Sequence, residues 1–249
     1  MDTMNTNNSP FITLMTERTP MKYFHIFCVI YATISISTNY LNLRLIPMEF
    51  PFMPDNFPIG GGVFIFPIAF ILQDIVTEVY GYARSRQMMW IGMTAMTASV
   101  IYSSFIISLP TLPAWHQSNQ AYQLLFGKLP IHTFGDVIGI ICGTVVNDYV
   151  LSRSKLKLKG KFFGVRIISA TMAGEFSYQI VAYTIAWSGQ MDAISSILPF
   201  FIFAFFYKIC FNIIALPFIY IATYIIKQRE HMDVYDTKTN FNPFKFSIG

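Results

Sequence analysis

The chain has 249 residues, of which 54% are hydrophobic, 17% aromatic and only 12% charged, with a mean hydropathy of +0.49. A water-soluble domain carries about 25% charged residues, so half of the expected solvated surface is missing; this excludes a cytosolic globular enzyme and a disordered chain. The net charge of +4 leaves nucleic acid or anionic lipid as a partner until its distribution is read. Residues 1–21 are polar and contain Pro10 and Pro20, and read as a cytoplasmic tail. They are not a secretory signal, because no basic start precedes a short apolar run with a small-residue cleavage site.

Six apolar runs follow: Tyr23–Ile46, Gly60–Tyr80, Met88–Leu109, Ile131–Leu151, Val165–Trp187 and Ile197–Ile226. Each meets the requirement of about 20 apolar residues for crossing a bilayer. The last is long enough to tilt or to extend beyond it. The expected fold is an all-α membrane protein, a bundle of six transmembrane helices over residues 22–228, with a C-terminal tail at 229–249. Between the first two runs, Pro47–Pro58 is too rich in proline for a regular helix and reads as an external loop or interfacial segment. Elsewhere short loops join antiparallel neighbours, and no internal repeat is present.

With the N-terminus inside, all but three of the 17 lysines and arginines fall on the cytoplasmic side; Arg44 and Lys128 lie outside and Lys208 lies within a span. This bias predicts both termini in the cytoplasm. It also turns the SRSKLKLKGK run into a topology anchor touching anionic lipid, and no nucleic acid is expected as a partner. Cys28, Cys142 and Cys210 have no CxxC spacing and read as reduced packing residues. The four histidines are scattered, so no metal site is expected, and no cofactor is called for.

A charge inside a span is costly and must face a partner or a cavity. The second span holds Gln73, Asp74 and Glu78, the last two on one helix face, and Pro67 and Gly60–Gly62 break its start. The fourth ends in Asn147 and Asp148. The fifth carries Glu175 and Gln179 and the sixth Lys208 and Asn212, each pair spaced i,i+4. Tyr178 and Trp187 are candidates to stack on a flat ligand. A structural reading stands beside the functional one: Asp74, Glu78 and Asp148 as helix-end residues paired with Arg84 and Arg153, and Glu175 with Lys208 as a buried ion pair.

The segment FPIAFILQDIVTEVYGYARSR, Phe66–Arg86, resembles the hallmark of the queuosine precursor transporter family, through Pro67, Asp74, Thr77–Tyr82, Arg84 and Arg86. Asn147-Asp148-Tyr149, Arg166, Gly174-Glu175, Lys208, Pro217 and the stretch Asp233–Phe244 fit the same pattern. Relatives often carry Gln where this chain has Glu175 and Glu where it has Asn212. The resemblance implies a six-helix inner-membrane protein similar in fold to vitamin-binding S-components, not an enzyme. It implies import of 7-cyano- or 7-aminomethyl-7-deazaguanine, or the free base, for the tRNA nucleoside queuosine. One carboxylate accepts both donors of a deazaguanine pairing edge, and an amide or ammonium meets its carbonyl. Glu78 or Glu175 is the expected reader of the donor edge, with Asp74, Asp148 and Tyr178 in the site and Asn147, Gln179, Lys208 and Asn212 orienting the base. A stand-alone carrier is favoured, because the first helix lacks the Ala-x-x-x-Ala face with which S-components dock on an ATPase module. An S-component for another heterocycle and an intramembrane enzyme working through paired carboxylates are the competing readings.

Overall fold

The computed structural model describes residues 21–49, 57–186, 194–237 and 239–245. The expected N-terminal tail, Trp187 and Lys238 lie outside them. In chain order the elements are α1 Phe24–Leu41, β1 Leu45–Met48, β2 Phe57–Gly60, a 3-10 turn Gly61–Phe64, α2 Phe66–Tyr80, α3 Tyr82–Ser108, a second 3-10 turn Pro113–Trp115, α4 His116–Phe126, α5 Leu129–Lys157, α6 Phe163–Ala186 and α7 Ile194–Glu230. By length and hydropathy α1, α2, α3, α5 and α7 suffice to cross a membrane. The 24-residue α6 carries Arg166, Glu175 and Gln179 and is not among them. The protein is therefore helical and multi-pass.

The long helices alternate in direction. The start of α1 meets the end of α7, where the Tyr23 backbone N–H donates to Glu230 Oε1 at 2.8 Å. The end of α1 and the starts of α2, α5 and α7 gather at the opposite pole around one cavity. The centre is α2, which packs on α1, α3, α5 and α7. All of its residues except Ile68 and Ile71 are buried. Phe66 and Phe70 join Met89, Met93, Ile140 and Tyr178 in one core, and Ile75, Val76 and Val79 join Cys28, Tyr31 and Leu151 in another.

α5 and α6 form the closest pair. A Cβ on Gly143 would stand 2.8 Å from Tyr178 Cβ and 3.0 Å from Gly174 O, and one on Gly174 would stand 2.7 Å from Asn147 Cβ. Only hydrogen fits at this crossing, so the two backbones lie against each other, as small residues permit in membrane helices.

Four expectations change. Pro67 does not break α2: it occupies the first turn, where its missing N–H leaves no bond unmade. Residues on both sides of the proline-rich segment form an antiparallel pair, Leu45 opposite Gly60 and Pro47 opposite Pro58, which only two edge strands allow. The connection from α3 to α5 is long and holds α4, none of whose residues is buried. Finally, α3 starts at Tyr82, directly after Gly81, whose φ of 81° and ψ of 173° lie in a region open essentially to glycine.

The expected C-terminal tail is a strap over its described part. The Val234 N–H donates to Val79 O at 3.1 Å. Asp236 accepts the Tyr82 N–H at the start of α3 and the Ser152 hydroxyl of α5 at 2.8 Å. Tyr82 Oη donates to Phe241 O at 2.8 Å, Arg86 to Asn242 O at 3.0 Å and Trp90 Nε1 to Pro243 O at 2.8 Å. The strap thus closes the pole where α2 ends.

Candidate functional site

The opposite pole holds a cavity of about 480 Å³, within the range of small-molecule sites. Thr38 and Asn39 of α1 and Asn42 just after it line it, with Leu124 and Leu125 of α4 at its edge and His132 and Asp136 from the start of α5. Phe66, Tyr178, Tyr183, Phe203 and Lys208 also belong to the wall, with Lys128 among its other residues. At the wall Lys208 Nζ stands 4.5 Å from the ring centres of both Phe66 and Tyr178 and 5.7 Å from that of Phe70. Three aromatic faces hold one ammonium, an arrangement the ring quadrupoles favour. Behind it Lys208 donates to Glu175 Oε2 at 2.7 Å. Tyr178 Oη donates to Asp136 Oδ1 at 2.7 Å, which leaves the other oxygen of this cavity-lining carboxylate. In the orientation that satisfies both ends of its amide, Gln179 donates to Phe201 O at 2.8 Å and accepts from Phe205 N at 3.0 Å, bracing α6 on α7.

Toward the middle of the bundle the i,i+4 stripe of α2 continues through Asp74. Asp74 accepts from Asn147 Nδ2 at 2.8 Å and from Thr171 Oγ1 at 3.4 Å, and Thr171 in turn accepts from Asn212 Nδ2 at 2.9 Å. Asp148 accepts from Thr77 Oγ1 at 2.8 Å and from Gln73 Nε2 at 3.4 Å. Both carboxyl groups are fully buried. Neither takes part in an ion pair among the described residues.

One turn further on, Glu78 sits among cations. Arg166 grips it with Nη1 to Oε2 at 2.7 Å and Nη2 to Oε1 at 3.2 Å; Lys227 adds a bond at 2.9 Å and Lys155 stands at 3.6 Å. Asp233 of the strap completes the cluster, 2.7 Å from Lys155 and 2.8 Å from Lys227. Arg166 and Glu78 are each 1% exposed. An ionised carboxylate buried this deeply persists only with such pairing.

The predicted site residues therefore separate into three levels. Tyr178 and Lys208 line the cavity, with Glu175 and Gln179 directly behind. Asp74, Asn147, Asp148 and Asn212 form the central layer. Glu78 lies farthest off, with Arg166, Lys155 and Lys227 filling its carboxylate rather than the Arg84 and Arg153 expected as structural partners. The expected Glu175–Lys208 ion pair is present. Sequence reasoning passed over Asp136, His132, Asn39 and Asn42. Asp136 was open to the same argument as Asp74, being an acid inside an apolar run, four residues after a histidine.

The family described as "Putative vitamin uptake transporter" matches residues 60–222. A protein of Bacillus subtilis (strain 168) described as a probable queuosine precursor transporter is 24% identical over 163 residues, which cover 65% of this chain and 70% of that protein. No solved structure matches. The matched stretch runs from the glycines ahead of α2 into α7, and so contains the cavity wall apart from its α1 side, the central carboxyl layer and the Glu78–Arg166 pair. On that match, and on a helical bundle with a closed pole and a cavity at the other, the chain belongs to the vitamin uptake transporter family.

Proposed function

We propose that the protein imports 7-deazaguanine precursors of queuosine as a stand-alone carrier, with six spans and both the start of α1 and the strap on the cytoplasmic side. The observation that carries this reading is the cavity wall itself: flat aromatic faces, the ammonium of Lys208 and the carboxylate of Asp136 converge on a space of the right size for a small heterocycle. The base lies against Phe66 and Tyr178, its carbonyl accepts from Lys208, and the adjacent N–H donors of its pairing edge meet Asp136. Glu175 keeps Lys208 charged and pointed, so it acts through the lysine rather than on the base. Glu78, engaged by three cations, is left to hold the bundle together. The basic residues near Arg84, Lys155–Lys161 and Lys227 share the strap pole, which supports placing that pole inside and the cavity outside.

Uptake of labelled 7-cyano- and 7-aminomethyl-7-deazaguanine into cells unable to make them tests the assignment. Lys208→Met and Asp136→Asn are expected to lose about 1–3 kcal/mol of binding, roughly a fivefold to 150-fold rise in half-saturating concentration. Unchanged uptake in both variants overturns it. A requirement for a co-purifying ATPase would favour the S-component reading instead.

A further inference from the structure

We propose that Asp74 and Asp148 form a proton-carrying site that couples substrate movement to proton movement across the membrane. The inference rests on the carrier reading above and adds its driving ion.

Three observations converge. First, among the described residues the buried carboxyl groups inside the spans lie at three levels, apart from Glu230 and Asp236 at the strap pole, and the levels on either side are neutralised: Glu175 by Lys208, and Glu78 by Arg166, Lys155 and Lys227. The middle level receives only neutral donors, from Asn147, Thr171, Thr77 and Gln73. Two adjacent carboxylates without a cation, inside a bundle that crosses a bilayer, do not both stay ionised; one takes a proton. Second, Asp148 Oδ2 is buried without a geometrically sound hydrogen bond, with the likewise unpartnered Ser85 hydroxyl against the same carboxyl, and Asn147 Oδ1 is unpartnered too. A proton on Asp148 Oδ2 turns an orphaned acceptor into a donor. Third, the layer is linked in the direction of the cavity. Asn212 donates to Thr171 and Thr171 to Asp74, and Asn212 and Thr171 each lie four residues from Lys208 and Glu175 respectively. The Glu175 Oε1 and Asn212 Oδ1 atoms along this line are also unpartnered.

The titratable groups facing the pair are few. Tyr31 of α1 and Tyr82 of α3 face Asp148, with the Ser85 hydroxyl beside it, and Glu78 faces Asp74 along α2. The cations above and below are each committed to another carboxylate. In the transport step a proton from the cavity side forms an O–H bond at the pair, the pair is exposed to the other side with the substrate, and the same bond breaks to release the proton there. No other group changes charge.

The test uses the purified full chain in proteoliposomes with labelled 7-aminomethyl- and 7-cyano-7-deazaguanine, an imposed inside-alkaline pH gradient and a pH dye trapped within. The wild type is expected to accumulate substrate about tenfold above equilibrium, to lose this with an uncoupler, and to show proton entry on substrate addition. Asp74→Asn and Asp148→Asn are expected to keep counterflow exchange, which needs no net proton, and to stop at equilibrium. Wild-type counterflow without proton entry overturns the proton site alone. Full accumulation by both variants overturns the assignment to these residues. Wild-type vesicles with no counterflow overturn the substrate reading and this inference with it. The dye signal of the wild type decides the matter even where a variant fails to fold.

Discussion

At the residue scale, the fate of each buried acid depends on which cation it meets. Glu78 and Glu175 look alike in the sequence: each is a glutamate in an apolar run with a polar residue four positions away. One ends up gripped by a guanidinium and two lysines and the other by a single lysine at a cavity wall, because the rotation of α6 and α7 about α2 decides who faces whom. Periodicity along one helix holds no record of that rotation, so the polar positions were legible while their division of labour was not. Removing one partner of a buried pair costs about 3–5 kcal/mol when the other is left unpaired, and Lys227 and Lys155, which stay beside Glu78, offset part of that loss here. Arg166→Ala is therefore expected to lower the thermal transition of the detergent-purified protein sharply, or to prevent its recovery. Arg166→Lys, which keeps the charge but loses the two-pronged contact, should fall between it and the wild type. A melt of Arg166→Ala equal to the wild type would contradict the structural role given to this pair.

At the element scale, the α5–α6 contact is set by glycine. Gly139 and Gly143 share a stripe, and Gly143 and Gly174 leave each backbone open to the other. The spacing Gly135-Gly139-Gly143 is visible in the sequence and marks a helix face that packs closely, although nothing in it names α6 as the partner. The helices themselves were legible from hydropathy, and their limits were not: α3 begins six residues before the apolar run, at Tyr82, because Gly81 alone makes the turn. Since Tyr178 and Glu175 ride on the α6 face that Gly174 holds in place, Gly174→Leu should separate the helices and shift Lys208 from its aromatic faces. The expected outcome is an overpacking loss of about 1–3 kcal/mol in stability, with substrate affinity reduced beyond what the variant's folded fraction explains. Thermal melts and binding by fluorescence quenching, measured on one preparation, separate the two effects.

At the scale of the whole molecule, one pole is open and the other is strapped shut, and one of the carboxyl groups that hold the strap lies against two lysines. Burial alone would raise the Asp233 carboxyl, but the hydrogen bonds and charges of Lys155 and Lys227 outweigh it and hold the group below the ordinary carboxylate range. Released from the bundle it titrates at about 3.9. The docked form binds its proton less readily than the free form, so this contribution to docking is complete above that value and is lost as the pH falls through the docked one. In a chain with Trp115 and Trp187 replaced by Phe, the fluorescence of Trp90, whose Nε1 donates to Pro243 O, should report strap release only below about pH 4. Asp233→Asn should abolish this pH dependence and loosen the strap at neutral pH without releasing it, since Val234, Asp236 and the carbonyls of Phe241, Asn242 and Pro243 keep their bonds. The strap also imposes an order of assembly. Arg86 and Asn240 are 154 residues apart, so α3 is made long before its closing partners exist. At a synthesis rate of about 5–20 residues per second, the strap pole stays without its strap for roughly 8–30 seconds in every newly made copy. Through that interval the Gly81 turn, the Tyr82 amide and the Arg86 guanidinium wait without the strap carbonyls and carboxylate. The newly made bundle thus passes through a stage in which this pole lacks the contacts that close it in the finished chain.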